Sequence, residues 1–292
     1  LIYYWYHRSE LSSSLNFLYS SVGISKQGVH QLLSRSVREQ EEIRLLLEII
    51  HQIRKDHPRM SCRSLYDKIK PGFMGRDKFE TLCKAFGLQV VKASNARRTT
   101  DSSGVIRFEN LLIDKAITDI DQAWSSDITY YELQGVFYYL TFILDNYSRR
   151  ILGYYASGRL NTENTTLPAM KRAIRTRGGS LKEGIIFHSD GGGQYYDTSF
   201  LELTRKYKFR NSMCEYGWEN GKAERVNGII KNNYLIPWGV NTPESLLKNL
   251  DRAVQLYNFD KPHSALKRMT PVEFEKKVIA LCVQTKETAS KI

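Results

Sequence analysis

The chain has 292 residues, 41% hydrophobic and 12% aromatic, with 43 Lys and Arg against 31 Asp and Glu, a formal charge of +12. That apolar content excludes an unfolded tail, and the length leaves room for one large domain and one or two small ones. The positive balance calls for a polyanionic partner: nucleic acid, a ribosome-like particle or a membrane surface.

Cys62, Cys83, Cys214 and Cys282 are spread along the chain without a C-x-x-C pair, and the six histidines are scattered. Neither a zinc site nor a disulfide framework is expected, which fits a reducing, intracellular setting. The longest apolar run, Val136 to Leu144, is too short to span a bilayer and follows no secretory leader. Residue 1 is Leu rather than Met, as expected of a processed, truncated or frameshifted start.

In chain order, Ile2-Tyr3-Tyr4-Trp5-Tyr6 is an aromatic cluster that reads as a core strand, a packing arm or a stacking surface. Leu15, Leu18 and Tyr19, then Gly23 and Ser25, then Val29, Leu32 and Leu33 give a helix-turn-helix pattern that offers Lys26, Gln27 and His30 outward. A separate longer helix follows on the stripe Ile43, Leu46, Leu47, Ile50 and Ile53, and His57-Pro58 ends it. Residues 1–57 form this first helical module. Residues 58–91 form a second, with helices over 61–69 and 77–86 that leave Arg63, Arg76 and Lys78 available to phosphates.

Residues 92–118 read as a basic linker, with Arg97 and Arg98 placed to touch a DNA groove. A catalytic domain is expected over 119–276 and a weakly anchored tail over 277–292. Within the domain, strands are expected at 124–131, 136–145 and 150–157, a helix at 162–177, a strand ending in Asp190, a helix at 199–207, a short strand and a helix bearing Glu224. An amphipathic helix over 246–257 closes it. Asp145 reads as a turn former, since Asp-Asn at a hairpin corner has that ordinary use.

Three acids carry the chemistry. Asp127 lies in a run of β-formers, Asp190 ends an apolar run before three glycines, and Glu224 lies away from the helical seam of Val226, Ile229 and Ile230. Three hard-oxygen donors on two strands and a helix suit Mg²⁺ or Mn²⁺. Such an acid set inside a basic chain tips the choice of partner towards nucleic acid. A Walker-type loop is absent, because Gly191-Gly192-Gly193 lacks the Lys-Ser/Thr that would follow.

The motifs W-x-x-D-I-T-Y at 124–130, H-S-D-x-G-x-Q-Y at 188–195 and N-x-x-A-E-R at 220–225, then Lys231, resemble the DDE core of IS3-type insertion-sequence transposases, relatives of retroviral integrases. L-D-N-Y-S-R-R-I-L-G at 144–153 and Y-N-F-D-K-P-H-S-A-L-K-R-M-T-P-V-E-F at 257–274 extend the likeness. The 33 residues between Asp190 and Glu224 are slightly fewer than usual for that family, and Gly191 replaces a polar residue.

The resemblance implies an α/β, ribonuclease-H-like mixed five-stranded sheet with flanking helices behind small all-α helix-turn-helix modules. It implies two divalent ions held by Asp127, Asp190 and Glu224, with DNA contacts from Lys231, Lys222 and Arg225. The implied activity is nicking of a 3′ end and its transfer into target DNA, by a homo-oligomer on paired ends in the bacterial cytoplasm. An upstream reading frame can supply a fusion or a partner. The alternatives are a silent or domesticated DNA-binding regulator and, third, a hydrolytic nuclease or junction resolvase.

Overall fold

The computed structural model describes residues 2–10, 14–91 and 107–289. Arg97 and Arg98 lie outside the described residues, as does the first half of the expected linker. Two compact units are present, residues 1–55 with 71–75, and residues 56–70 with 76–292.

In the first unit the aromatic run is helical, α1 (Ile2–Tyr6). Ser14 Oγ accepts from Phe17 N at 3.3 Å and caps α2 (Leu15–Ser21). Gly23 turns the chain at φ +69°, and Ser25 Oγ accepts from Gly28 N at 3.1 Å at the head of α3 (Lys26–Asp56). Two successive helices were expected here, and the structure has one of 31 residues. The intervening residues 34–42 are mostly good helix formers, and Arg38–Glu42, Arg44–Glu41 and Arg44–Glu48 pairs at helical spacing continue the coil across them. Tyr19, Val29 and Leu33 form a small core with Trp5, Leu15 and Ile24 against it.

The second unit opens with α4 (Cys62–Ile69), capped by Ser61, and α5 (Arg76–Ala85). Leu65, Phe79 and Cys83 are fully buried. This pair is tied to the far end of the chain by charge. His57, itself buried, meets Tyr234 through Nδ1 at 2.9 Å and Asp260 through Nε2 at 2.6 Å, and Lys68 and Arg268 add pairs to Asp260 and Asp67.

The sheet follows. Strands β1 (Ala123–Leu133) and β2 (Val136–Asp145) form a hairpin, with Gln134 and Gly135 both at positive φ, the geometry of a tight type I′ turn. β3 (Ile151–Ser157) pairs antiparallel with β2. Between them lies a corner built on Asp145, which is fully buried. Its Oδ1 accepts from Tyr147 N at 2.9 Å and Ser148 N at 2.7 Å, and its Oδ2 accepts from Asp121 N at 2.8 Å. Those bonds are the turn-forming role expected of it.

Helix α6 (Thr166–Thr176) leads to β4 (Ile186–Ser189), α7 (Thr198–Lys206), β5 (Arg210–Met213) and α8 (Gly221–Ile230). The strand order is β3-β2-β1-β4-β5, with β4 parallel to both β1 and β5. This is the ribonuclease-H-like arrangement. One face of the sheet packs Leu140, Phe142 and Leu144 against α8 and α9 (Pro243–Phe259), and the other packs Trp124, Ile143, Leu152 and Phe187 against α6 and α7.

Residues 277–289, expected as a loose tail, continue helix α10 (Pro271–Ala289). Thr270 and Glu273 cap it reciprocally, Thr270 N donating to Glu273 Oε2 at 2.8 Å and Glu273 N to Thr270 Oγ1 at 3.2 Å. The second half of the expected linker lies against the sheet, where Leu111 N donates to Ser212 Oγ at 2.9 Å and Phe108 packs on Tyr196.

Gly153 on β3 is where α6 comes closest. A Cβ there would stand 2.0 Å from the Ala169 carbonyl oxygen and 2.8 Å from Ala173 N, both backbone atoms that cannot rotate away. Gly153→Ala is expected to cost about 3 kcal/mol in urea unfolding. Gly193→Ala, which meets nothing within 4 Å, serves as the control, and equal midpoints for the two variants would contradict the contact.

Candidate active site

β1 and β4 set the position of two acids. Ser125 stands opposite His188 in the parallel register, so two residues further on Asp127 and Asp190 stand side by side at the edge where β4 ends. Adjacent strands lie about 4.8 Å apart. The three glycines that follow release the chain from the sheet, and Gly192 N donates to Asp190 Oδ1 at 3.2 Å. A Cβ on Gly192 would meet that same oxygen at 3.1 Å, close enough that the carboxylate would have to give way slightly.

Asp127 is held from two sides. Its Oδ1 accepts from its neighbour's amide, Ile128 N, at 3.0 Å, and its Oδ2 accepts from Asn227 Nδ2 on α8 at 2.7 Å. Asn220 Nδ2 reaches the Ser126 carbonyl at 2.8 Å, so α8 is pinned to β1 through an asparagine just before it and another in its second half. Beneath them Tyr195 meets Ser126 Oγ at 2.8 Å, and Ser126 Oγ donates to Phe142 O at 2.9 Å. Both acids therefore rest on a polar network that is itself buried.

The electrostatics follow from that packing. Burial pushes the Asp127 carboxyl up to about 7, and the charges of Asp190 and Glu224 add to the effect against the bonds from Ile128 and Asn227. Burial also raises Asp190, opposed by the Gly192 amide. Lys231, just past α8, donates Nζ to the Tyr130 carbonyl at 3.0 Å. Burial lowers its pKa while Asp127 supports its charge. Next to the acids His188 is held neutral, since burial takes it down to about 4 and Ser212 Oγ fills its Nδ1 at 3.0 Å.

Glu224 is exposed on α8, near enough for its charge to reach Asp127. Among the described residues no three His, Cys, Asp or Glu side chains converge on one point as a finished ion cage. The arrangement is two carboxylates fixed by the sheet and a third opposite them on the helix. Its chemistry fits a divalent cation: three hard-oxygen donors, with Asp127 raised by burial and by the charges of the other two, and the buried Asn227 Oδ1 left without a partner beside them.

The cationic residues expected to touch DNA divide. Lys231 joins the acids, whereas Lys222 and Arg225 line a separate groove on the other side of α8. Arg63 is paired with Glu80 at 3.0 Å and Arg76 with Asp77 at 2.9 Å. Lys26, Gln27 and His30 are exposed on α3 in the other unit. Sequence reasoning missed Asn220 and Asn227, although Asn227 follows Glu224 by three residues and so shares its helix face.

Two family models, each described as an integrase core domain, match residues 119–217 and 207–271, together just over half of the chain. The "Insertion element IS600 uncharacterized 31 kDa protein" of Shigella sonnei is 28% identical over 264 residues, 87% of this chain and 96% of that protein. "Transposase InsF for insertion sequence IS3A" of Escherichia coli K12 is 25% identical over 69% of this chain and 72% of its own length. A "Putative transposase for insertion sequence element IS986/IS6110" of Mycobacterium tuberculosis is 27% identical over 69% of this chain and 75% of its own length. Among solved structures, the HTLV-2 integrase catalytic core domain in complex with magnesium is 23% identical over 53% of this chain and 96% of that one, at a TM-score of 0.44. The protein is thus one with an integrase core. The chain belongs to that family, on the branch of IS3-type insertion-sequence transposases.

No helix among the described residues is long and apolar enough to cross a membrane.

Proposed function

We propose that the chain is a DNA transposase that nicks the 3′ end of its element and joins that end to target DNA, with Asp127, Asp190 and Glu224 holding two divalent ions. The observation that carries this reading is the Asp127 carboxyl pushed to about 7 beside two further acids. So costly a grouping in a chain of charge +12 has a use where cations and phosphates meet. When bound, a pair of ions activates the attacking oxygen and stabilises the leaving one in an in-line displacement.

The chain's own residues do the rest. Ile128 N and Asn227 orient the Asp127 carboxylate, and the Gly192 amide orients that of Asp190. Glu224, on a helix pinned to β1, closes the third side by choosing among its rotamers. Lys231, partly desolvated and anchored on Tyr130 O, presents its ammonium to a phosphate beside the acids. The exposed Lys26, Gln27 and His30 on α3, and the helical segment 58–91, give the chain further surfaces for DNA. Action on paired ends by a homo-oligomer belongs to the same reading. Mg²⁺-dependent joining of a labelled end duplex to a plasmid tests it.

A second expectation concerns pH. An acid whose folded pKa, about 7, stands above its ordinary value of 3.8 binds more protons folded than unfolded between those values. Without cations its contribution is full below 3.8 and is lost as pH rises through 7. Cations take the proton's place, so Mg²⁺ is expected to raise Tm more at pH 8 than at pH 6, the whole stabilisation at pH 8 reaching about 2.7 kcal/mol at a hundredfold excess over Kd. Differential scanning fluorimetry checks this, and an equal Mg²⁺ shift at both pH values, or one that survives Asp127→Asn, counts against the assignment.

A further inference from the structure

Helix α8 has two opposed faces. Glu224 and Asn227 look towards Asp127, whereas Lys222 lies about 160° and Arg225 about 100° round the helix from Glu224. Those two cations open into a groove of about 600 Å³, whose other walls are the corner after β2, the segment after α9 and the residues before α4. Arg149 comes from the first of these walls, Lys261 and His263 from the second and Arg59 from the third. No Asp or Glu lines it.

The cations are forced together. Arg149 and Arg225 repel one another, Arg149 repels Lys222, and Arg225 repels Lys261. Arg63 and Arg268 on the groove's rim are paired with Glu80 and Asp67, but Asp145, whose charge supports Arg149 and Lys222, spends both its oxygens on the backbone amides of Tyr147, Ser148 and Asp121. Arg149 Nη1 is buried with no hydrogen-bond partner, whereas the neighbouring Arg150 is paired with Glu275, and Arg177 with Asp121 and Glu275. Arg149 is also held at φ +62°, a backbone region that a side chain of its kind seldom adopts. Burial together with Arg225 takes the Lys261 ammonium down to about 8. A buried guanidinium nitrogen left without a partner among other cations is a standing cost that an anion would remove.

We propose that this groove binds backbone phosphates of DNA, at a site apart from Asp127, Asp190 and Glu224 and separated from them by the thickness of α8. The inference rests on the reading of the chain as a DNA-acting enzyme, which is what selects DNA among polyanions. The groove itself points to a ligand of several negative charges spaced along a chain. A single carboxylate would satisfy one guanidinium and leave the remaining cations repelling one another, whereas successive phosphates take the forked Arg149 and Arg225 and the point charges of Lys222 and Lys261 in turn. The two faces of α8 then divide the work, one meeting the phosphate that reacts and the other holding the duplex in register.

The test is binding of a fluorescein-labelled 25-base-pair duplex to the full chain in EDTA, so that it is independent of catalysis. Anisotropy is followed from 50 to 300 mM salt, with poly-glutamate and inorganic phosphate as the other probes. Each phosphate contact contributes about 0.9 to the slope of log K against log salt. Lys222→Gln with Arg225→Gln is therefore expected to reduce the slope by about 1.8, with affinity for the duplex falling at least tenfold at 150 mM salt. The substituted positions are exposed, and an unchanged thermal midpoint certifies the fold.

In the unsubstituted chain the same duplex is expected to protect Lys222 and Lys261 from amine acetylation read by mass spectrometry, which does not depend on any variant folding. An unchanged slope, unprotected lysines, or a loss confined to poly-glutamate or to inorganic phosphate would overturn the proposal. Failure of strand joining with the slope change intact would fall on the catalytic reading instead.

Discussion

Asp190→Asn is expected to reduce joining of an end duplex by about a thousandfold or more, equivalent to ~4 kcal/mol of transition-state stabilisation, while leaving DNA binding at least as tight. The substitution is nearly isosteric. Oδ1, which accepts from Gly192 N at 3.2 Å, survives as an amide oxygen, so the loop and the strand tip keep their geometry. What disappears is one negative charge among three.

Two consequences separate a loss of chemistry from a loss of structure. Removal of the like charge lets the Asp127 carboxyl fall from about 7 towards its ordinary range, a shift readable by titration of its carboxyl carbon resonance. The thermal midpoint without cations stays level or rises. Joining by Asp190→Asn within tenfold of the unsubstituted chain would remove Asp190 from the site, and an unmoved Asp127 titration would mean that the two carboxylates are not neighbours.

Glu275→Ala is expected to destabilise the second unit by about 3–5 kcal/mol in urea, because it strands buried cations rather than because it loses a contact. Glu275 sits on α10 with its side chain 4% exposed. Its Oε1 accepts from Arg177 Nη2 and Ser148 Oγ, each at 2.7 Å, and its Oε2 accepts from Arg150 Nη1 at 2.7 Å and Arg177 Nη1 at 2.9 Å. One carboxylate thus joins the corner after β2, the end of α6 and the last helix. Burial pushes its pKa up, but Arg177, Ser148 and Arg150 outweigh that and hold it below the usual 4.5.

An acid with a depressed folded pKa adds stability that is full above its unfolded value and is lost as pH falls through the folded one. The unsubstituted chain should therefore lose stability steadily below pH 4.5, and Glu275→Gln should flatten that part of the profile. A loss under 1 kcal/mol for Glu275→Ala would mean that the network is ornamental.

The sheet was legible because its strands are written in runs of β-formers, with Asp127 inside one and Asp190 just past the end of another. Asp127 before Ile128-Thr129-Tyr130 and Asp190 before three glycines each mark a place where a buried strand delivers a carboxylate. Asp145 was legible for a similar local reason, since Asp-Asn-Tyr-Ser closes a turn wherever it falls. Continuity of α3 was not, because residues 34–42 carry no apolar stripe and the charge pairs that bridge them show only once helical spacing is assumed. Residues 277–289 are helical where only a weakly anchored tail was expected, and a helix beyond Lys276 has few buried positions to announce it.

What sequence could least show was the sharing of duties around α8. Lys222, Arg225 and Lys231 look alike in a string of letters, yet three-dimensional packing gives one to the acids and two to another groove. Arg149 and Lys261, 112 residues apart along the chain, meet there only because the corner after β2 and the segment after α9 lie against the same helix. The buried Glu275 cluster is likewise assembled from residues 148, 150, 177 and 275, a combination with no local signature.

The central claim, that Asp127, Asp190 and Glu224 share divalent ions, is tested most directly by anomalous diffraction from crystals of the full chain soaked in Mn²⁺. The account predicts one or two peaks bounded by carboxylate oxygens of all three residues, at about 2.0–2.3 Å, the range of hard cations on oxygen. Peaks ligated without Glu224 or without Asp127, or no peak there at an occupancy that labels other carboxylates, would contradict it.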